Sequence, residues 1–283
     1  MRLRARLGLM ATTILLASGC AAEPPNKTTA PATGDEHLIG HVHGLGVDPA
    51  DNTLYAAGHY GVFRIEDGVP TRVADRWQDT MAFTITGPNT FLGSGHPDLT
   101  ENLPPHLGLI ESTDAAKTWE SLSLQGEADF HALEVVGNRI IGYDSASEQI
   151  RMTTDRTTWR TVTRGELTDL APSPGSTTQI LATTIEGELV EVTLGGQVIP
   201  INGAPTLMWI DATPSGQLVG TGPNGELYVS EDPSGKWERH GSVTGDPTAL
   251  DATDDLWHIA TDTGIYASDD QGQTWTEVIE AKP

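Results

Sequence analysis

The stretch Ser268-Asp269-Asp270-Gln271-Gly272-Gln273-Thr274-Trp275, near the end of the chain, is the clearest indication of the fold. It reads Ser-x-Asp-x-Gly-x-Thr-Trp, which is typical of a tight turn between two β-strands. The Asp side chain can accept hydrogen bonds from backbone N–H groups of the turn, and the Gly supplies a positive φ. The Trp re-enters a strand and buries its ring. The stretch therefore predicts a β-hairpin.

Imperfect copies of this turn recur along the chain and set a period. The tryptophans that close the recognisable copies are Trp119, Trp159, Trp237 and Trp275. The gaps between them are 40, 78 and 38 residues, so degenerate copies are expected near residues 195–198 and 68–73. The remaining chain consists of short β-type runs broken by Gly, Pro, Asn and Asp, without a helical period. Six units of about forty residues predict an all-β, six-bladed β-propeller, with a solenoid as the alternative.

The turn motif resembles the Asp-box, or BNR, repeat of sialidase-like and sortilin-like β-propellers. Segments 41–46, 78–84, 93–97 and 129–133 also resemble a bacterial family of exported proteins that is labelled glycosylhydrolase or sialidase-like BNR protein. The resemblance implies blades built from Asp-box repeats and, as one possible activity, glycoside hydrolysis. The chain is also similar to photosystem assembly factors and sortilin-type domains. This second resemblance implies the alternative of a non-catalytic, protein-binding scaffold.

Sialidase chemistry requires residues that this chain does not place in the expected positions. A sialidase needs an arginine cluster, a Tyr nucleophile with an acidic partner, and an acid/base Asp. Nine arginines follow the first twenty residues, and none precedes a first strand of a unit. We therefore expect no sialidase activity, although paired carboxylates such as Asp79 and Asp129 leave another hydrolase open.

The N-terminal segment has the order of a bacterial lipoprotein signal. Three arginines precede an apolar run at residues 7–16, and small residues then lead to Cys20. Cys20 is the only cysteine, so an intramolecular disulfide is excluded. We expect a signal peptide at 1–20, a lipid anchor on Cys20, a flexible Ala/Pro/Thr linker at 21–36 and the propeller domain at 37–283. This predicts a protein of the cell envelope, anchored to the outer side of the cytoplasmic membrane.

The charge of the chain restricts its partners. Asp and Glu number 39 against 16 Lys and Arg, which gives a formal net charge of −23 at pH 7. So large an acidic excess argues against nucleic acid and favours cations. We therefore expect a membrane contact only through the lipid anchor, a metal ion as ligand, and a protein as a further candidate partner.

Seven of the nine histidines lie between positions 37 and 131, within the first three units. The residues directly before the apolar part of the first strand in these units are His43, Met81 and His131. Hairpin symmetry places opposite them, in the same order, His59, His96 and Asp144. Two residues earlier on the same side of the chain lie His41, Asp79 and Asp129. We expect these side chains to meet at the mouth of the central channel.

Imidazoles in equivalent repeat positions indicate a metal site. Imidazole suits Cu, Zn, Ni and Fe, and the thioether of Met81 points towards copper, with zinc as the alternative. The nearby acids would orient the imidazole rings. We expect the remaining histidines to be solvated or capped: His37, His106, His240 and His258. The long connection at 97–106 is read either as a lid or ligand-bearing loop, or as a plain surface insertion.

Overall fold

The computed structural model describes residues 39–280. The predicted signal peptide, Cys20, the linker and His37 lie outside the described residues. Within 39–280 there is no helix with the length and hydropathy needed to cross a membrane.

The described chain forms six four-stranded antiparallel sheets. Blade one contains β1 (Val42–Asp48), β2 (Thr53–Gly58), β3 (Gly61–Glu66) and β4 (Val69–Arg72), and blade two contains β5 (Asp79–Gly87), β6 (Thr90–His96), β7 (Leu109–Ser112) and β8 (Glu120–Ser123). Blade three contains β9 (Phe130–Val136), β10 (Arg139–Asp144), β11 (Gln149–Thr153) and β12 (Arg160–Arg164), and blade four contains β13 (Leu167–Pro172), β14 (Gln179–Thr184), β15 (Leu189–Thr193) and β16 (Val198–Pro200). Blade five contains β17 (Trp209–Ala212), β18 (Leu218–Thr221), β19 (Glu226–Ser230) and β20 (Glu238–Ser242), and blade six contains β21 (Pro247–Ala252), β22 (Trp257–Thr261), β23 (Gly264–Ser268) and β24 (Thr276–Glu280).

The six sheets close into a ring. In each sheet the strands follow one another in chain order from the channel outwards. The innermost strand of each blade packs beside that of the next, and β21 packs against β1. The prediction of an all-β, six-bladed β-propeller is therefore confirmed, and β24 is the outermost strand of the last blade.

Apolar side chains fill six clusters, one between each pair of neighbouring blades. The cluster that joins blade six to blade one contains Ala249 and Ile265 from the former, and Leu45 and Phe63 from the latter. Ile39, just before β1, is buried in the same cluster. Burial of these side chains on both sides of the seam holds the ring closed.

The turn that closes blade six has the hydrogen bonds that its motif predicts. The Asp270 carboxylate accepts bonds from the Thr274 N–H at 2.9 Å and from the Thr274 hydroxyl at 2.7 Å. The Ser268 hydroxyl accepts a bond from the Gly272 N–H at 2.8 Å, and Gly272 has a φ of 77°. The turn of blade two repeats these bonds, with Ala116 at a φ of 64° in the Gly position. The tryptophans that close the repeats are partly buried and pack against four of the six clusters.

A β-bulge interrupts the innermost strand of each of the first three blades, close to where that strand begins. In blade one, for example, the pairing moves from Val42 with Gly58 directly to Gly44 with Ala57. The extra residues in the three bulges are His43, Met81 and His131. These residues therefore occupy equivalent positions at one end of the channel.

The predicted cross-strand pairs are wrong because of these bulges. Counting outwards from a turn assumes equal numbers of residues on both strands, whereas a bulge adds one residue to the innermost strand. In blade two a second irregularity, between Ile85 and Gly87, displaces the pairing further. The pairs predicted from the sequence are His43 with His59, Met81 with His96 and His131 with Asp144. The pairs in the structure are His41 with His59, Asp79 with His96 and Phe130 with Asp144.

Candidate metal centre

Three histidines of blade one meet where β1 begins and β2 ends. The ring centroids of His41 and His43 lie 4.7 Å apart, and those of His43 and His59 lie 4.8 Å apart. One ligand nitrogen of each ring lies within 4.8 Å of the others. His41 and His59 are exposed, whereas only 10% of the His43 side chain is exposed, and its Nε2 has no hydrogen-bond partner among residues 39–280. We refer to these three imidazoles as the first ligand group.

A second ligand group, of His96, His106 and Asp129, lies between blades two and three. Its ligand atoms also lie within 4.8 Å of one another. His96 Nε2 is 3.9 Å from Asp129 Oδ1, and His106 Nδ1 is 3.8 Å from Asp129 Oδ2. The Nδ1 of His96 lies 2.8 Å from the carbonyl oxygen of Pro105. A carbonyl only accepts, so Nδ1 carries the proton and the lone pair of Nε2 faces Asp129.

His106, which was expected from the sequence to be solvated or capped, is partly buried and belongs to the second ligand group. It lies on the long connection between β6 and β7, and the length of this connection is the sequence signal that could have identified it. Asp98 anchors the connection by accepting a hydrogen bond from the Trp77 N–H at 3.0 Å, and the Leu107 N–H donates to the Gly95 carbonyl at 2.8 Å. These bonds hold His106 over the channel mouth, which favours the ligand-bearing loop over the plain insertion.

Asp129 is held by its neighbours on several sides. His131 Nε2 lies 3.2 Å from Asp129 Oδ2, and the Ser145 hydroxyl donates to the same oxygen at 3.3 Å. The Asp129 N–H donates to Asp144 Oδ1 at 3.1 Å, and Asp144 is fully buried in an ion pair with Arg151 at 2.7 Å. His131 and Asp144 therefore lie outside both ligand groups and position Asp129.

Asp79 contacts residues of both ligand groups. It pairs with His96 across β5 and β6, and its Oδ1 lies 3.6 Å from His43 Nε2. That oxygen also lacks a hydrogen-bond partner within the described chain. Met81, in the bulge two residues further on, is partly buried. A role for its thioether as a copper ligand stays a prediction.

Burial and crowding lower the pKa values of two of the imidazoles and so favour their neutral form. Burial, followed by the charges of the neighbouring histidines, lowers the pKa of His43 to about 3. Burial and the charge of His59 also lower the pKa of His41. Neutral imidazole is the form that binds metals. His43 therefore does not need to lose a proton to bind a metal ion at neutral or mildly acidic pH.

The pKa values of the two carboxylates shift in opposite directions. Burial raises the pKa of Asp79, and the charges of nearby histidines offset this only in part. Burial would also raise the pKa of Asp129, but the hydrogen bond from His131 and the charges of nearby histidines outweigh it, so that pKa is lowered. Asp129 therefore stays ionised to a lower pH than Asp79.

The channel below the ligand groups holds a cavity of about 440 Å³, and His43 and His131 are among its lining residues. The acids that line it, from blades three to six, are Glu134, Asp169, Asp211 and Asp251. Burial raises the pKa of Asp169 to about 7, and burial together with neighbouring acids raises the pKa values of Glu134 and Asp211. Even partly ionised, this lining favours cations over anions.

No protein-family model and no curated protein matches the chain. A solved structure described as YCF48 bound to D1 peptide is 20% identical, with 85% of this chain and 81% of that chain covered and a TM-score of 0.52. A gluconolactonase from Xanthomonas campestris is 14% identical, with 80% and 84% covered and a TM-score of 0.62. A GH74 xyloglucanase from Xanthomonas campestris is 17% identical, with 86% of this chain but 55% of that chain covered and a TM-score of 0.59. At these identities the matches show the β-propeller fold alone and carry no BNR or sialidase-like label.

Proposed function

We propose that this protein is a metal-binding β-propeller whose site lies at the channel mouth of blades one to three. The observation that carries the proposal is the first ligand group, in which the buried His43 Nε2 has no hydrogen-bond partner among residues 39–280. A buried polar atom without a partner costs about 1–3 kcal/mol, and a bound cation would remove that cost. Copper(II) binds imidazole sites most tightly among the common divalent metals, so we propose copper, with zinc as the alternative.

Titration of metal-free protein, purified without an affinity His-tag, tests this proposal. We expect stoichiometric binding of Cu(II) or Zn(II), measured by calorimetry and elemental analysis. Binding should stabilise the fold by about 2.7 kcal/mol at a hundredfold excess of metal over the Kd, because the unfolded chain has no preformed site. A thermal-shift titration measures this stabilisation. A protein that binds neither metal would contradict the proposal.

Matched variants distinguish the metal-ligating side chains from histidines outside the site. His43→Ala should weaken binding at least tenfold, whereas His240→Ala should leave it unchanged, because His240 lies on the outer strand β20, beside the Gln271 carbonyl. Met81→Leu should weaken Cu(I) selectively, since a thioether contributes little to Zn(II) binding. Equal affinity of wild type and His43→Ala would contradict the assignment of His43.

The proposal includes a lipid anchor on Cys20 and a position in the cell envelope. Its support is the order of basic, apolar and small residues that ends at Cys20. We expect the wild-type protein to partition with bacterial membranes, and Cys20→Ser to be released or to keep its signal segment. Membrane fractionation followed by mass spectrometry of the N-terminus measures both. Equal partitioning of the two forms, with a cleaved but unlipidated N-terminus in both, would contradict the anchor.

A protein partner is a further part of the proposal. Its support is the peptide-bound propeller of similar fold. The exposed side chains of Leu99 and Leu103, on the same connection as His106, provide apolar surface for such a partner.

A further inference from the structure

We propose that the channel mouth binds two metal ions, one on each ligand group, with the carboxylate of Asp79 between them. This inference rests on the proposed function and adds the number of ions, a second set of ligands and the role of the β6–β7 connection.

Each ligand group is compact enough for an ion of its own. A metal ion about 2.0–2.1 Å from each nitrogen holds its ligands about 3.4 Å apart in tetrahedral geometry. The ligand atoms of each group already lie within 4.8 Å of one another. Closing the difference needs only small rotations of side chains at strand ends and on a loop. One shared ion would instead have to draw ligands from both groups across the channel mouth.

Each group also contains a buried polar atom without a hydrogen-bond partner in the described chain. In the first group it is His43 Nε2, on a side chain that is 10% exposed. In the second they are His106 Nδ1 and Asp129 Oδ1, the latter on a side chain that is 9% exposed. Native structures rarely leave such atoms unpaired without a ligand, a water or an ion. The presence of such atoms in both groups therefore indicates two separate positions for a cation.

The second group is oriented for metal binding by its neighbours. The Pro105 carbonyl fixes the His96 tautomer and leaves Nε2 with its lone pair towards Asp129. The hydrogen bond from His131 holds the Asp129 carboxylate in place. Hydrogen bonds of this kind, one step removed from the metal, are what orient ligands in metalloproteins.

Asp79 is placed to serve both ions. Its carboxylate lies beside His43 of the first group, and its backbone pairs with His96 of the second. Its Oδ1 is among the buried atoms without a partner in residues 39–280. A carboxylate between two cations reduces their mutual repulsion, and the acidic channel lining does so as well. The two groups differ in chemistry, because the first offers three imidazoles and the second offers two imidazoles and a carboxylate.

The number of ions bound per chain tests the inference. Full-length protein would be stripped with a chelator and loaded with Zn(II) or Cu(II), and the ions would be counted by native mass spectrometry and elemental analysis. We expect two ions for the wild type and for the His240→Ala control, and one ion for either His59→Ala or His106→Ala. His59→Ala combined with His106→Ala should bind none. His59 is exposed and His106 is only partly buried, so both variants should keep the wild-type melting temperature without metal.

A second readout follows from the position of Asp79 between the groups. With two Cu(II) ions bound, the electron paramagnetic resonance spectrum should be broadened by their interaction, and each single variant should restore an isolated-ion spectrum. One ion per wild-type chain, or two ions that survive in both single variants, would overturn the inference while leaving metal binding intact. No bound ion at all would overturn the proposed function with it.

Discussion

Gly95→Ala is expected to lower the free energy of unfolding by about 3 kcal/mol or more, the largest effect of any single substitution that we predict. Gly95 has a φ of 137°, a conformation that costs other residues about 1–3 kcal/mol. A Cβ at this position would lie 2.0 Å from the Asp79 carbonyl oxygen and 2.8 Å from the Met81 nitrogen. Both are backbone atoms, so β5 and β6 would have to separate at the bulge. Equilibrium urea unfolding of metal-free protein measures the loss.

The same substitution should also disturb the ligand groups, because Gly95 directly precedes His96 and its Cβ would displace Asp79. We expect metal binding to weaken together with stability. Gly87→Ala, at the other end of β5, is the matched control, because nothing lies within 4 Å of its added Cβ. Gly87→Ala should be nearly neutral. If the two variants unfolded at the same urea concentration, the close contact of Gly95 with the β5 backbone would not contribute to the stability of the blade.

Wild-type protein without metal is expected to lose about 3 kcal/mol more stability than His43→Gln between pH 7 and pH 4. In the unfolded chain His43 binds a proton below about pH 6.5, whereas in the folded protein its pKa is about 3. The unfolded state therefore holds more protons in this window, and stability falls as the pH falls through it. Each pH unit contributes about 1.36 kcal/mol. Gln removes the titrating group and keeps a polar side chain.

Urea unfolding at pH 7 and pH 4 measures this difference directly. His240→Gln reports the effect of removing a histidine outside the cluster, and it should behave like the wild type. If wild type and His43→Gln lost the same free energy of unfolding between pH 7 and pH 4, His43 would not be the source of the acid sensitivity. Added Zn(II) or Cu(II) should make the wild type more resistant to acid, since a bound ion competes with protons for the imidazoles.

The sequence predicted the fold well because the turns are encoded locally. The hydrogen bonds of Asp270 with Thr274, and of Ser268 with Gly272, lie within one stretch of eight residues, so their residue types can be read without knowing the rest of the structure. Repetition at a period of about forty residues then determined the number of blades. The concentration of histidines in the first three units was also visible, since equivalent repeat positions fall at equivalent heights of the channel.

The division into two ligand groups was decided by the tertiary structure. Residues inserted in bulges changed every predicted cross-strand pair, and no local pattern predicts such insertions. His106 reaches Asp129 because the β6–β7 connection folds back over the channel mouth, and these two residues come from different blades. Asp129 is positioned there by a hydrogen bond from its backbone N–H to buried Asp144, which pairs with Arg151. The turn conformations and the repeat period depend on residues that are close in the chain. The ligand geometry depends on contacts between blades, which the sequence does not specify residue by residue.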